Sequence, residues 1–398
     1  MYKDIQLKKI CVVTTSRADY GLLKKTINLI NKSSKLKLYL IVSGTHLLKS
    51  YGYTIEEILS DNVEIHKKIY IDILNDDSYS VSLNISEYIK KFSNCFNEIR
   101  PDMVMLLGDR YELLGVATVA TIFKIPISHI HGGELTYGAI DDNIRHAVTK
   151  LSKIHFVASE EYEKRVIQMG EDPSNVFLVG GLGVDNLKEI EIISKNNLEK
   201  ELKFRFLERN LLVTYHPETN KENTINDFSE LLKVLNNFSH TGIIFTMPNS
   251  DPGNKKIIDA IKNFVKKNHN SKYFFSLGIQ RYVSCLSYMD GVIGNSSSGL
   301  LEAPTLKIGT INIGNRQEGR LKAKSVISCD PNFDDILNSI DTLYSSEFQK
   351  KLENCTNPYG EGGASKKIVE ILENLNIKNI SSKKNFYDLD KKFFKNNS

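Results

Sequence analysis

The stretch HIHGGELTYGAIDDNIRH, residues 129–146, places three histidines and three carboxylates around a glycine pair. Groups of these types either bind a metal ion or transfer protons. His129 and His131 form an HxH pair, and in a strand both imidazoles lie on the same face, so a pair of metal ligands is conceivable. No third ligand has a characteristic spacing in the sequence, however, and we expect no metal site.

Acid–base chemistry fits the carboxylates of this stretch better. Asp109 ends the preceding apolar run, MVMLLGDR, and is expected at the same sheet edge as Glu134 and Asp141. Crowded carboxylates raise one another's pKa values, which creates proton donors and acceptors near neutral pH. We therefore predict acid–base roles for Glu134, Asp141 and Asp142, together with Asp109. A structural alternative is that Asp141 caps the helix of DNIRHAVTKL.

A second group of residues has the types that bind a phosphate. In GVIGNSSSGLLEAP, residues 291–304, three serines follow an apolar run and open a predicted helix. They can simply cap that helix, but backbone N–H groups, hydroxyls and the helix dipole also converge there on an anion. We predict that Ser296 and Ser297 bind phosphate, and that Glu302, farther along the helix, binds a ribose diol.

Arginines and a histidine at other strand ends complete this group. Arg17 in SRADYG and Arg316 in GNRQEGR lie in opposite halves of the chain, and their forked guanidinium groups suit a diphosphate, although exposed arginines are often only solvated. Arg320 is a weaker candidate. His216 in LVTYHPET follows a strand and is a candidate, although a lone histidine is more often a core residue. The sequence has no GxGxxG or GxxxxGK[ST] motif, so a nicotinamide dinucleotide is not expected.

The chain supplies a scaffold of alternating strands and helices for these residues. Short apolar runs that precede helical patterns are typical of buried parallel strands. The runs lie at 9–15, 36–44, 103–110, 125–133, 154–159 and 176–181, and, after a Lys/Asn-rich stretch, at 211–217, 242–251, 291–299, 308–317 and 326–330. This pattern predicts an α/β protein with two Rossmann-like domains facing a central cleft. Nearly every polar cluster follows a strand, where open α/β sheets bind ligands.

Length and composition agree with a two-domain protein of moderate charge. The chain has 398 residues, and its net charge of +4 arises from 52 basic and 48 acidic residues, which does not favour nucleic acid. Its five cysteines are scattered without a CxxC pair, so we expect a reducing cytoplasm. We expect neither a signal peptide nor a membrane helix. The tail from about Ser381 is interpreted as a frayed or docked extension.

Several motifs together resemble one known family. The chain is similar to the hydrolysing UDP-N-acetylglucosamine 2-epimerases in seven motifs, which occur in the same order. They are SRADYGLL, GDRYELLGVA, HIHGGE, IDDNIRHAVTKLS, YHPET, GNSSSGLLEAP and TINIGNRQEGR. The resemblance covers roughly residues 8–375. It points to the bacterial branch that supplies sialic-acid-type sugars to capsules and glycans.

The resemblance implies a glycosyltransferase-B type fold. It implies a first domain at 1–187 for the sugar and the acid–base groups, a second at 188–365 for UDP, and a C-terminal helix and tail at 366–398 that packs back on the first domain. It further implies that UDP leaves by anti elimination to give 2-acetamidoglucal, and that hydration then yields N-acetylmannosamine. No cofactor is implied. The expected partners are a small nucleotide sugar and further copies of the chain, in a dimer or tetramer.

The resemblance also assigns residues. Asp109, Glu134 and Asp141 match acid–base positions. The residues that match UDP-binding positions are Arg17, Arg110, His216, Asn249, Ser296, Ser297, Glu302 and Arg316. His131 stands where much of the family has a catalytic glutamate, so either His131 or Glu134 takes over the proton transfer, and we favour Glu134.

The substrate has two alternatives at this point. UDP-N-acetylglucosamine is preferred, and the alternative is a UDP- or GDP-linked 2,4-diacetamido-2,4,6-trideoxy sugar on the route to legionaminic acid. IVSGTHLL, FTMPNSD and SLGIQRY resemble both branches equally. Other classes considered are a glycosyltransferase, a non-hydrolysing epimerase and a non-catalytic nucleotide-sugar sensor.

Overall fold

The computed structural model describes residues 7–72, 77–137, 140–217, 224–248, 254–377, 380 and 384–389. The chain divides into two compact units, Met1–Asp185 with Gly362–Ser398, and Asn186–Glu361. We call them the first and the second unit. No helix in the described ranges is long and apolar enough to cross a membrane.

The first unit alternates strands and helices. Its elements are β1 (Lys8–Thr14), α1 (Arg17–Lys32), β2 (Leu36–Ser43), α2 (Ile55–Ser60), β3 (Ile65–Ile69), α3 (Ser78–Ile99), β4 (Met103–Leu107), α4 (Tyr111–Ile122), β5 (Ile127–Ile130), α5 (Ile140–Leu151), β6 (Ile154–Val157), α6 (Glu160–Gln168), β7 (Val176–Leu178) and α7 (Leu182–Glu189), which runs into the second unit. Its described strands form a parallel sheet of seven in the order β3-β2-β1-β4-β5-β6-β7.

The second unit repeats this architecture. Its elements are α8 (Lys195–Leu202), β8 (Arg209–Thr214), α9 (Thr224–Leu235), β9 (Thr241–Thr246), α10 (Asn254–Lys267), β10 (Ser271–Phe274), α11 (Gly278–Leu286), β11 (Gly291–Gly294), α12 (Ser298–Leu301), β12 (Gly309–Ile313), β13 (Val326–Cys329), α13 (Phe333–Tyr344) and α14 (Ser346–Glu353). Its described strands form a parallel sheet of six in the order β10-β9-β8-β11-β12-β13.

Helices cover both faces of each sheet. Along β1, Ile10 and Val12 belong to one apolar cluster, and Cys11 and Val13 belong to another. Because side chains alternate between the two faces of a strand, this division shows that the sheet is buried on both sides. The predicted α/β class with two Rossmann-like units is therefore confirmed. All five cysteines are free, so the chain has no disulfide framework.

The last helix, α15 (Ala364–Asn374), packs into the core of the first unit. Gly363, at its N-cap, has no side chain to satisfy the first backbone N–H groups. Asp185 does so instead, because its buried carboxylate accepts from the N–H of Ala364 at 2.9 Å and of Ser365 at 2.6 Å.

Candidate active site

The strand order reverses at one point in each sheet. β1 lies between β2 and β4, and β8 lies between β9 and β11. Connections leave the strands in opposite directions at such a point, which opens a crevice at their carboxyl ends. Asp109 and Arg110 follow β4 at the first reversal, and His216 follows β8 at the second. The candidate residues of each unit thus lie at the carboxyl ends of the strands beside the reversal, where sheets of this kind bind ligands.

Asp109 forms an ion pair with Arg145 of α5, a residue that the sequence analysis did not select. The Arg145 side chain is 4% exposed and that of Asp109 is 29% exposed. The guanidinium lies 3.4 Å from Oδ1 of Asp142 and donates to Oγ1 of Thr136 over 3.3 Å. A buried cation therefore fixes a partly accessible carboxylate at the end of β4. The signal for Arg145 was its spacing of four residues from Asp141, which places both on one helix face.

Asp141 is exposed and lies within the first turn of α5, which begins at Ile140. It is therefore not the N-cap of the helix, and the alternative structural prediction for it is wrong. Partial burial of its carboxyl group, together with the negative charge of Asp109, raises its pKa above the usual range. The site thus contains a carboxylate paired with a cation beside a carboxyl group that holds its proton more firmly.

His131 and Glu134 form a second pair. Nδ1 of His131 lies 3.0 Å from Oε1 of Glu134, and the backbone N–H of Leu182 donates to Nε2 of His131 over 3.4 Å. Because Nε2 accepts, the hydrogen of a neutral imidazole is on Nδ1, facing the carboxylate. The φ of His131 is +64°, a conformation that non-glycine residues seldom adopt.

Two arginines of this unit also have carboxylate partners. Arg110 contacts the buried Glu112 through Nε at 3.1 Å and Nη2 at 2.7 Å, and the negative charge of Glu112 outweighs burial to raise the pKa of the guanidinium. Arg17 is 65% exposed and lies 2.9 Å from Glu57. Both are predicted to bind UDP, and neither is fixed by burial in the way that Arg145 is.

Asp19 organises the turn after β1, and the sequence analysis overlooked it. Its carboxylate accepts from the N–H of Thr15 at 3.0 Å and from the N–H of Ser16 at 3.1 Å, and it is bonded to the Thr14 hydroxyl. Burial pushes the pKa of Asp19 upward, but hydrogen bonds from His46, Thr14 and Thr15 outweigh it and the pKa is lowered. The sign that could have revealed Asp19 is the capping pattern in SRAD.

In the second unit, the fully buried Asn295 links the ends of neighbouring strands. Its side chain accepts from the N–H of His216 at 2.7 Å and donates to the His216 carbonyl at 2.9 Å. Its own carbonyl accepts from Arg316 at 3.2 Å and from Gln317 at 2.9 Å. The structure thus brings together His216 and Arg316, which are 100 residues apart in the sequence, around Asn295.

The serine-rich segment differs from its prediction. Ser296 and Ser297 follow β11 as expected, but α12 is a single turn that continues as a 3₁₀ turn, Ala303–Leu306. Pro304 explains this, because proline lacks an N–H and clashes with the carbonyl four residues earlier. Glu302 therefore lies at the end of α12 rather than farther along a continuous helix. Its carboxyl group is bonded to the Ser298 hydroxyl, and burial raises its pKa.

Two further predictions concern Asn249 and metals. Asn249 lies outside the described residues. Within the described ranges, no group of three or more His, Cys, Asp or Glu residues is arranged to hold a metal ion. The two histidines of the HxH pair have separate surroundings, since His129 is fully buried and His131 pairs with Glu134.

Comparison with known proteins adds the following similarities. A family described as UDP-N-acetylglucosamine 2-epimerase matches residues 28–373. The chain is 41% identical to GDP/UDP-N,N'-diacetylbacillosamine 2-epimerase (hydrolyzing) of Campylobacter jejuni, over 96% of this chain and 99% of that protein. It is 38% identical to polysialic acid biosynthesis protein P7 of Escherichia coli, over 96% of this chain and 98% of that protein.

A crystal structure of UDP-GlcNAc 2-epimerase from Neisseria meningitidis bound to UDP-GlcNAc matches with a TM-score of 0.72. The match covers 92% of this chain and 99% of that chain at 20% identity. At this identity the likeness shows the fold alone, which is the glycosyltransferase-B type.

Proposed function

This chain belongs to the UDP-N-acetylglucosamine 2-epimerase family, and from this premise we propose that it is a hydrolysing sugar-nucleotide 2-epimerase. The proposed first substrate is UDP-N-acetylglucosamine, which with water gives N-acetylmannosamine and UDP for sialic-acid-type sugars. The single observation that carries the proposal, beyond family membership, is the Asp109–Arg145 pair beside Asp141 at the strand reversal of the first sheet.

The proposed reaction begins with elimination. A base removes the proton at C2 of the sugar while UDP leaves from C1, and 2-acetamidoglucal remains. Water then adds at C1 and a proton is delivered to C2 on the opposite face. Such a sequence needs two acid–base groups with different proton affinities. We assign them to Asp109, which Arg145 neutralises, and to Asp141, whose pKa is raised by burial and by Asp109.

Glu134 is the proposed further acid–base group, with His131 as its partner. Both ring nitrogens of His131 have partners, the Leu182 N–H at Nε2 and the Glu134 carboxylate near Nδ1. This arrangement supports a role in which His131 orients Glu134 and stabilises its negative charge, while the carboxylate moves the proton.

The departing diphosphate needs stabilisation as well, because the hydrogen at C2 is only weakly acidic and negative charge develops on UDP first. In the second unit, the proposed UDP ligands are His216, Ser296, Ser297, Glu302 and Arg316, and Asn249 is proposed with them. In the first unit they are Arg17 and Arg110. The Asn295 hydrogen bonds support this assignment in the second unit, because they hold His216 and Arg316 at one sheet edge.

A second candidate substrate is a GDP- or UDP-linked N,N'-diacetylbacillosamine. The relative that is 41% identical along nearly the whole chain carries that activity in its name, and this observation favours the alternative. The two sugars differ at C4 and C6, whereas the proposed chemistry takes place at C1 and C2. Both substrates therefore fit the same acid–base groups.

The experiment is a proton NMR time course in D2O with purified protein and each nucleotide sugar in turn. The expected result is release of the nucleotide together with a free 2-epimeric sugar that carries deuterium at C2. A 2-epimer that is still linked to the nucleotide would indicate a non-hydrolysing epimerase. If neither sugar nucleotide turns over but both bind, the proposal fails and the sensor alternative is favoured.

The same assay tests Asp109 directly. In Asp109→Asn, turnover is expected to fall about 100-fold or more, while UDP affinity stays within about threefold, because the lost group transfers a proton. Asp102→Asn is the matched control. Asp102 precedes β4 at its opposite end, where it accepts from the Lys9 N–H at 2.7 Å. Equal losses in the two variants would argue against the assignment.

A further inference from the structure

His129, the first histidine of the HxH pair, has no part in the chemistry proposed so far. It lies on β5, fully buried, and its Nε2 is 2.8 Å from the carbonyl oxygen of Gly108. A carbonyl only accepts, so Nε2 carries the hydrogen. Burial lowers the pKa of His129 to about 3, and the imidazole is therefore neutral at physiological pH.

The other ring nitrogen faces α5. Nδ1 of His129 lies 3.1 Å from Oγ1 of Thr149, which in turn lies 2.9 Å from the carbonyl oxygen of Arg145. The single hydroxyl hydrogen of Thr149 bonds to one of these acceptors at a time. The imidazole thus connects the end of β4, through Gly108, to the helix that carries Arg145.

These contacts form a ring that includes the Asp109–Arg145 ion pair. Gly108 immediately precedes Asp109, and the Asp109 carboxylate is paired with the Arg145 guanidinium. Starting at Asp109, the ring passes through Gly108, His129, Thr149 and Arg145 and returns to Asp109. Gly108 has a φ of +85°, a left-handed conformation that glycine adopts without strain, so its carbonyl is part of the turn that leads into Asp109.

The geometry points to His129 as a positioning residue, which holds Asp109 and Arg145 in the alignment that proton transfer requires. The kinetic predictions of this inference rest on the proposed function, because they assume that Asp109 transfers a proton. Without the imidazole, the Gly108 carbonyl loses a buried donor and the turn that aims Asp109 is free to shift. A displacement of about 1 Å is sufficient to reduce turnover about 100-fold.

His155 provides a matched control. It is the register partner of His129 on β6 and is likewise fully buried. Its Nε2 lies 2.9 Å from Glu171, and its partners do not include Asp109, Arg145 or Gly108. Replacing either histidine disturbs the core of the same sheet, but only His129 contacts the ring directly.

The kinetic test compares His129→Leu, His129→Gln and His155→Leu. The side-chain amide introduced by His129→Gln places an N–H near the position of Nε2 and is expected to donate to Gly108. In His129→Leu, kcat should fall about 100-fold with KM within about threefold, whereas His129→Gln should retain kcat within about tenfold of wild type. His155→Leu should lose thermal stability while retaining kcat.

Two kinetic outcomes would overturn the inference. One is a folded His129→Leu protein with the kcat of wild type. The other is a loss of kcat in His155→Leu as large as in His129→Leu, since this would show a general effect on the core. If His129→Leu does not fold, the inference is tested by comparing the kcat of His129→Gln with that of Thr149→Val. The valine substitution removes the partner of Nδ1 and should therefore lower kcat more than the glutamine substitution does.

A second readout does not depend on any activity. Arginine guanidinium ¹H–¹⁵N NMR signals, assigned with Arg145→Lys, report on the Asp109–Arg145 pair. The Arg145 signal should be sharp and slowly exchanging in wild type and His155→Leu, and broadened or lost in His129→Leu. An unchanged Arg145 signal in His129→Leu overturns the positioning role. If the wild-type protein shows no turnover but the NMR signals behave as expected, the proposed function fails and the positioning role of His129 stands.

Discussion

At the residue scale, two side chains of the same type have different surroundings in the candidate site. Asp109 and Asp141 are both aspartates at one sheet edge, yet Asp109 is paired with a buried arginine, whereas Asp141 is exposed as a residue and its carboxyl group is only partly buried. The charge of Asp109 acts on Asp141 and raises its pKa together with burial. Pairs of carboxyl groups whose environments separate their pKa values are the usual basis of divided acid and base roles.

The coupling between these two aspartates gives a prediction about pH. In Asp109→Asn, the pKa of Asp141 should fall, because the repulsion from Asp109 is removed and Arg145 loses a competing partner. The measurement is ¹³C NMR of labelled aspartate carboxyl groups against pH. We assign proton donation to Asp141, because its pKa is raised. A donor acts while protonated, so in wild type the rate should decrease as pH rises through the folded-state pKa of Asp141.

Asp102→Asn is the control for this titration, and it should leave the curve of Asp141 unchanged. An Asp141 curve that stays in place, or moves to higher pH, in Asp109→Asn would show that the two carboxyl groups are not coupled in this way.

At the element scale, the turn after β5 is tightly constrained by its contacts with α6. Gly133 has a φ of +80°, and a Cβ added there would lie 2.6 Å from the carbonyl oxygen of Tyr162 and 2.9 Å from Cγ2 of Val166. The Gly133 carbonyl accepts from Nη1 of Arg165 at 2.6 Å. Helix α6 thus holds the turn that presents Glu134.

We predict that Gly133→Ala lowers the free energy of unfolding by about 2 kcal/mol or more, because both the positive φ and the backbone contact disfavour a side chain. Turnover should fall with it, since the turn carries His131 and Glu134. Urea unfolding measures the stability, and the NMR assay measures the turnover.

Gly21→Ala, within α1, is the matched control. An added Cβ there meets no atom within 4 Å, so the variant should be as stable as wild type or about 0.5–1 kcal/mol more stable. Equal effects at Gly133 and Gly21 would contradict the interpretation of the turn.

The sequence predicted most of these elements and few of their contacts. Every apolar run interpreted as a strand overlaps one, with boundaries that differ by a few residues. Of the described strands, the two that were missed, β3 (IHKKI) and β10 (SKYF), lie at sheet edges, where lysines and other polar residues interrupt the apolar residues.

Partners of the site residues were harder to predict than their positions. Asp109 was recognised because it follows a strand, but Arg145 is 36 positions away and becomes its partner only when α5 packs against α4 and β5. The one-turn length of α12 was also missed, because Pro304 was not given enough weight.

At the scale of the whole molecule, the candidate residues of each sheet lie near the point where its strand order reverses. A residue of the C-terminal segment, Lys384, contacts the first unit outside the sheet. Lys384 contacts Glu171 at 2.6 Å, and it donates to the carbonyls of Lys150 and Ser152, both at 2.6 Å. Glu171 is only 2% exposed and is also bonded to Lys150 at 2.6 Å and His155 at 2.9 Å. Lys384 is thus bound to the C-terminal end of the helix that carries Asp141 and Arg145.

This cluster makes the effect of removing Lys384 depend on pH. Burial acts to raise the pKa of Glu171, but hydrogen bonds from His155, Lys150 and Lys384 outweigh it and lower the pKa to about 2. A carboxylate whose pKa is lowered by folding stabilises the fold above its unfolded-state pKa, and this contribution is lost as pH falls toward about 2.

We predict that Lys384→Met lowers the free energy of unfolding by about 2 kcal/mol at pH 7, because a buried carboxylate loses one of three partners. The difference from wild type should shrink as pH falls below about 4.5, since a protonated Glu171 no longer attracts the lysine. Urea unfolding at a series of pH values measures it. Lys351→Met, which breaks an exposed pair with Glu347, is the control and should cause no measurable change. A deficit in Lys384→Met that stays constant down to low pH would mean that the lysine acts through its carbonyl contacts rather than through Glu171.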